Sequence, residues 1–359
     1  MKLTAALIIA ATIAAVPCLS QAAEIQNAKT ESMQATGDLQ KTVERLAREA
    51  DEPTWVVYSA PMVEGDRLLC CNESHTWRAG AKSCELEGRE RNFVMSNRHG
   101  LVPASMASRD LLVFLRLASD RVSDLRVYSE SCPVDAGGTR VVWLEGVSPE
   151  SSAKMLHRFA AGDRLLAGDE DLADEALTAL ALHDAEGTDA AVEDLAGPSH
   201  PEELREEAIF WLGHMRGRAG YLALDRLLET EKDPEIKEEI AFALTQSPVP
   251  EAIDRLEKLA KSDPSPDVRG EALFWLAQSG SAGAGATIVE AIQQDPEEDV
   301  REEAIFALNQ LPDNQGTELL LEIVRDGSRP DEIRQEALFW LVQSDDDRAL
   351  DLVSDILRQ

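Results

Sequence analysis

The chain has 359 residues, 44% hydrophobic and 28% charged, with 35 Lys and Arg against 67 Asp and Glu, for a formal net charge of −32. That length and apolar content can bury a core and fill two ordinary domains, which excludes wholesale disorder. A chain so acidic repels phosphate backbones and lacks the clustered Lys and Arg that counterion release requires, so nucleic acid and anionic membranes are excluded as partners.

Lys2 is the only charge in the first 23 residues, and Leu3 to Val16 is apolar, ending in Pro17-Cys18-Leu19-Ser20-Gln21-Ala22-Ala23. A positive start, an apolar run and small residues before a polar stretch predict a signal peptide over 1–23, too short to span a bilayer comfortably. Pro17 argues against a lipid anchor on Cys18, because such a site needs a small flexible residue there. The expected mature chain is extracytoplasmic, periplasmic or secreted, with no membrane insertion after cleavage, and keeps Cys70, Cys71, Cys84 and Cys132. An even number of cysteines outside the cytoplasm pairs into disulfides. A bridge between the adjacent Cys70 and Cys71 would strain their peptide, which leaves 70–84 with 71–132, or 70–132 with 71–84. A zinc site using these thiols with His75 or His99, or a redox pair, are the alternatives, and neither has a C-x-x-C spacing.

Residues 24–37 are polar and aperiodic and read as a flexible lead-in to a small domain over 38–147. Leu39 to Ala50 predicts an amphipathic helix through Leu39, Val43 and Leu46. Strand-like runs follow at Trp55–Tyr58, Arg67–Cys70, Leu111–Leu115, Val122–Tyr128 and Arg140–Leu144, with turns at Ser119-Asp120 and Asp135–Gly138. The expectation is an α+β domain with antiparallel strands, stapled by disulfides, with a long loop over Gly88–Pro103.

The remainder, 148–359, carries most of the acidity: residues 151–359 hold 19 basic and 47 acidic side chains, against 15 and 20 in residues 24–150. Phe210, Phe242, Phe274, Phe306 and Phe339 recur at spacings of 32, 32, 32 and 33, with Thr178 in the place 32 residues before the first. Six before each Phe stands Leu204, Ile236, Val268, Val300 or Ile333; five before it, Arg205, Lys237, Arg269, Arg301 or Arg334. Coincident columns of this kind are an internal repeat. Prolines 201, 234, 264, 296 and 330 mark helix starts, where a missing N–H is harmless. A second amphipathic helix follows each, as at Tyr221–Leu228, Ala252–Leu259, Thr287–Ile292, Leu319–Val324 and Leu350–Leu357. Neither helix of a pair can bury its apolar face alone, so the pairs stack into an α-solenoid of about six pairs.

The segment Asp263-Pro264-Ser265-Pro266-Asp267-Val268-Arg269-Gly270-Glu271-Ala272-Leu273-Phe274-Trp275-Leu276 resembles the short bacterial HEAT repeat also found in phycobilin lyases. The pattern returns in Asp295–Leu308 and, slightly altered, in Asp233–Leu244 and Pro330–Leu341. The resemblance implies a HEAT-type array over about residues 150–359, with the first helix of each pair lining a concave surface where ligands are met. It says little of activity, because lyases, adaptors and transport factors share these repeats.

At about 100° per residue, Leu204, Ala208, Trp211 and Leu212 form a core stripe, and Phe210 stands well around the helix with Glu207 and His214 beside it. The same triplet recurs as Glu239, Phe242, Gln246; Glu271, Phe274, Gln278; Glu303, Phe306, Gln310; and Glu336, Phe339, Gln343. Stacked repeats turn these into ladders of carboxylate, ring and amide. One reading is an apolar, acidic groove for an extended or helical peptide, preferably a positively charged one. The other is that each ring closes the seam to the next repeat. The alternating Trp211, Ala243, Trp275, Ala307, Trp340 read as core interdigitation, and the basic column as bonds to aspartates or carbonyls of adjacent turns.

There is no Gly-rich phosphate loop, no His-Glu-x-x-His and no Gly-x-Ser-x-Gly, and the six histidines are scattered, with His183 and His214 reading as turn or cap residues. The expectation is therefore a mainly α, non-catalytic protein- or peptide-binding scaffold needing no cofactor and no metal. The alternatives are a thiol or metal site in the cysteine-containing domain, or, by the resemblance, lyase-like chromophore handling.

Overall fold

The computed structural model describes residues 25–63, 67–71, 83–88, 92–96, 109–162, 170–312, 315–344 and 348. The expected signal peptide with Cys18, His75 and His99, and the expected helix at Leu350–Leu357, lie outside the described residues.

The first half is built on a five-stranded mixed sheet. In order across it stand β2 (Lys29–Gln34), β10 (Arg140–Glu145), β3 (Thr54–Pro61), β7 (Asp110–Ala118) and β8 (Arg121–Ser129). The β7–β8 hairpin turns on Ser119 and Asp120, both at positive φ, which suits the right-handed twist of its strands. The pairs β3–β7 and β7–β8 are antiparallel as expected, but β10 runs parallel to both β2 and β3. The expected lead-in is instead structure: β1 (Ile25–Gln26) pairs with β9 (Val134–Asp135), and β2 forms an edge strand. Asn92–Ser96, placed in the expected long loop, is β6 and pairs with β4 (Arg67–Cys71), while β5 (Cys84–Glu85) pairs with β9.

Alternation along β3 and β7 sends side chains to two cores. Val56, Tyr58, Val113 and Leu115 face a cluster that includes helix α1 (Leu39–Glu49) and helix α2 (Pro149–Ala160). Trp55, Val57, Leu112 and Phe114 face a smaller one with Cys70, Cys84 and Cys132. Cys70 and Cys132 are disulfide-bonded, with Cα atoms 5.8 Å apart. This belongs to the second of the two possible connectivities; Cys84 is also disulfide-bonded, and the side chain of Cys71 lies outside the described set. A bridge between chain segments 62 residues apart, within a buried cluster, is a structural staple.

The second half stacks helix pairs: α3 (Glu170–Leu182) with α4 (Thr188–Leu195), α5 (Glu202–Met215) with α6 (Gly217–Thr230), α7 (Pro234–Gln246) with α8 (Glu251–Ser262), α9 (Pro266–Gln278) with α10 (Ala284–Gln294), and α11 (Glu298–Asn309) with α12 (Gln315–Arg325). Helix α13 (Asp331–Gln343) opens the sixth repeat. Of the five marking prolines, Pro234 begins a helix, Pro201 and Pro330 sit at its N-cap, and Pro264 and Pro296 precede it. The first helices pack on one another from α5 to α13 far more extensively than the second helices do, so the array curves toward the first-helix side. The sheet and the array share one continuous apolar cluster, with α2 packed on α3 and its Ser152 donating to Tyr58 Oη at 2.9 Å. The chain boundary near 148 is therefore not a break in the core.

A ribbon of aromatic rings across the repeats

The basic column fixes the first helices in place. Lys237 Nζ lies 2.9 and 3.2 Å from the Asp263 carboxylate, Arg269 holds Asp295 through two bonds of 2.8 Å, and Arg205 pairs with Glu231. Arg301 and Arg334 donate to the carbonyls of Asp295 and Val324. Each cation joins the start of a first helix to a turn bordering its repeat, as expected. Burial alone would raise the Asp295 carboxyl, but hydrogen bonds from Arg269 and the Glu297 N–H bring it below its ordinary value. With these cations consumed at the turns, the outward side of the first helices is left to other groups.

That outward side carries the five phenylalanines. Phe210, Phe242, Phe274 and Phe306 are half-buried, and Phe339 is 51% exposed. The rings form one continuous ribbon. Phe210 stacks on Phe242 at 6.3 Å and 17°, and Phe274 on Phe306 at 6.0 Å and 3°. An indole is wedged between these pairs and another beyond the second: Trp275 lies 4.6 Å from Phe242 and 5.0 Å from Phe274, and Trp340 lies 4.7 Å from Phe306 and 5.1 Å from Phe339. At the N-terminal end His214 stacks on Phe210 at 5.3 Å, beside Trp211 at 5.2 Å. Offset and tilted contacts at these separations are the favourable aromatic geometries.

The Trp–Ala alternation thus has a different meaning from the one expected. Trp211 is nearly buried, but Trp275 and Trp340 are only partly so and belong to the ribbon. Where the following repeat carries Ala243 or Ala307, two phenylalanines meet directly; where it carries Trp275 or Trp340, the indole fills the gap. The rings therefore do what the seam reading expected. They close the seams, and their outer parts remain open to solvent.

Carboxylates border the ribbon. Glu207, Glu239, Glu271 and Glu336 are half-buried and Glu303 is exposed. Two further acidic columns went unnoticed in the sequence: Glu206, Glu238 and Glu302, interrupted by Gly270 and Gln335; and Glu203, Glu235, Asp267, Asp299 and Glu332. They stand four and seven residues before each Phe, the helical spacing of one face. Burial first, then the Asp174 carboxyl beside it, pushes Glu207 up to about 7, against a hydrogen bond from Trp211. Burial first, then neighbouring carboxylates, hold Glu238 and Glu239 above their ordinary values as well; although the Glu303 residue is exposed, partial desolvation of its carboxyl group, then Asp267 and Glu271, do the same for it. Among the described residues no ion pair reaches Glu239, Glu271, Glu303 or Glu336. The amide column is less uniform: Gln278 donates to Gln310 at 3.2 Å, Gln246 to Thr245, and Gln343 is exposed.

Two of the remaining histidines meet at one carboxylate: His157 Nε2 lies 2.9 Å and His200 Nε2 3.5 Å from Asp194 Oδ2. His183, expected at a turn or cap, is fully buried beside the bridge between its own backbone and Met62. Among the described residues no group of three or more His, Cys, Asp or Glu side chains is arranged to hold a metal ion, and no helix is long and apolar enough to cross a membrane.

A profile of HEAT repeats matches residues 188–277, 253–341 and 285–359. No curated protein matches the chain in sequence. Solved structures similar to it include human deoxyhypusine hydroxylase, at 19% identity over 59% of this chain and 80% of that one with a TM-score of 0.32. The CpcE–CpcF complex of phycocyanin lyase from Nostoc matches at 17% identity over 58% and 94%, TM-score 0.29, and lipovitellin at 14% over 55% and 23%, TM-score 0.41. With its repeated Phe, basic and Glu columns carried on stacked helices and the profile aligned to three overlapping stretches, the part of the chain from residue 188 onward is an array of HEAT repeats.

Proposed function

We propose that this is an exported, non-catalytic scaffold that binds a protein or peptide along the first-helix face of its repeats, and that the partner segment is basic. The observation that carries the reading is the uninterrupted ribbon from Phe210 to Phe339, partly open to solvent and bordered by carboxylates that no described cation neutralises. An apolar stripe with an acidic border offers burial to a partner's side chains and selects those carrying positive charge. The apolar leader supports export, and the absence of catalytic motifs in the sequence supports a binding role.

The test is capture from a native extracytoplasmic extract by the mature chain, beside a variant carrying Phe242→Ser, Phe274→Ser and Phe306→Ser, read by mass spectrometry. A protein held by the unmodified chain and absent from the variant, with helicity unchanged by circular dichroism, is the expected result. Equal capture by both chains would reduce the ribbon to seam packing.

A further inference from the structure

The two ends of the ribbon differ from its middle. Trp211 donates its indole N–H to Glu207 at 3.3 Å, and Trp340 donates to Glu336 at 2.8 Å. Trp275 and Glu271 stand at the same spacing of four on α9, yet neither side chain forms a hydrogen bond among the described residues. Glu271 therefore keeps both oxygens for an outside donor. The indole beside it is flanked by Phe242 and Phe274. One turn of chain away, Gly270 leaves a gap in its acidic column, and the Glu303 carboxylate reaches into it: a Cβ built on Gly270 would lie 1.4 Å from Glu303 Oε2. Asp267 and Glu271 add negative charge beside both Glu238 and Glu303.

We propose that this middle section, Phe242, Trp275 and Phe274 with Glu271 and Glu303, seats an arginine side chain of the partner. The proposal rests on the reading of the face as a binding surface and names the group it selects. Guanidinium is planar, weakly hydrated and carries five N–H donors in a fixed fork, so it can lie on an aromatic ring and donate sideways to carboxylates at once. An ammonium is compact and strongly hydrated and offers chiefly its charge. The ribbon supplies the ring face, Glu271 supplies an acceptor committed to no other group, and the surrounding carboxylates supply the complementary charge.

The experiment titrates the full mature chain with three synthetic peptides, four repeats each of Arg-Ser, Lys-Ser and citrulline-Ser, by calorimetry and tryptophan fluorescence at low salt. The arginine peptide should bind about tenfold more tightly than the lysine peptide, the size of a stacked cation with paired acceptors, and the uncharged citrulline peptide should not bind. Glu271→Gln should cost the arginine peptide about tenfold. Glu322→Gln, an exposed carboxylate on the second helix α12 and outside the ribbon, should change it less than about twofold and acts as the charge-matched control. Equal affinity for the arginine and lysine peptides, with binding lost in the triple Phe→Ser variant, would overturn the guanidinium seat while leaving the binding face in place. Equal losses in Glu271→Gln and Glu322→Gln, or no binding of the arginine peptide, would also overturn it.

Discussion

Lowering the pH should loosen the joint between the sheet and the array through His183. The residue is fully buried where the Val63 N–H donates to the Leu182 carbonyl and the Asp184 N–H donates to the Pro61 carbonyl. Neither ring nitrogen makes a well-formed hydrogen bond. Burial first, then repulsion from the Arg216 guanidinium, pushes the imidazole down from 6.5 to about 4, against weaker help from the Asp184 backbone and the Asp184 and Glu150 carboxylates. Above pH 6.5 neither the folded nor the unfolded chain holds the proton. As the pH falls from 6.5 toward 4, the unfolded chain takes up a proton that the folded one refuses, so stability drops. At about 1.36 kcal/mol per pH unit, the loss accumulates to roughly 3 kcal/mol. The perturbation is His183→Leu, which keeps the volume and removes the titration, compared with the unmodified chain by urea unfolding between pH 7.5 and 4. The difference in unfolding free energy should move in the variant's favour by about 3 kcal/mol over that interval. A difference that stays constant with pH would refute the assignment, and other titrating groups common to both chains cancel from it.

Three further outcomes follow from the packing. Lys237→Met should destabilise the chain by about 3 kcal/mol in urea unfolding, because it leaves the buried Asp263 carboxylate without its cation. Gly213→Ala should cost about 2 kcal/mol and disturb the Phe210–Phe242 stack, since the new Cβ would lie 2.3 Å from the Ala243 carbonyl oxygen and force α5 and α7 apart; an unchanged melting temperature would contradict that close approach. Glu207, raised to about 7 from 4.5, favours the folded state below pH 4.5 and loses that contribution as the pH climbs through 7. Glu207→Gln should therefore gain relative stability over that rise, by about 1 kcal/mol once screening at its solvent-facing side is allowed for. Carboxyl NMR of the unmodified chain should show one Glu titrating near 7.

The array was legible because a solenoid maps sequence period onto distance: residues 32 apart become neighbours, so the Phe, Glu and basic columns could be stacked on paper. The position of Trp275 and Trp340 was not legible. A helical wheel places the residue after Phe near the core, but an indole is long enough to reach over the edge of its helix onto the Phe of the preceding repeat. The two extra acidic columns were visible and lost their contrast in so acidic a chain. In the first half, Trp55–Tyr58 and Leu111–Leu115 announced themselves by β-branched and aromatic runs. β2 could not, because it is an edge strand with mostly exposed side chains whose partner β10 lies about a hundred residues away in sequence. His183 follows α3 as expected, with its N–H on the Leu180 carbonyl, but its burial was not legible, because the bridge beside it comes from Met62 in the other half of the chain.

The alternation of tryptophan and alanine along the array gives the protein a parity. Its structural unit is one helix pair, but its surface unit is two, because a direct Phe–Phe stack and an indole wedge must follow one another. Removing one repeat, such as α7 with α8, would bring Phe210 against Trp275, so that Trp211 and Trp275 fall in consecutive repeats and the direct stack at that end vanishes. Removing two would restore the phase. Arrays derived from this chain by duplication or deletion should keep the alternation of direct stack and indole wedge only when repeats are gained or lost in even number.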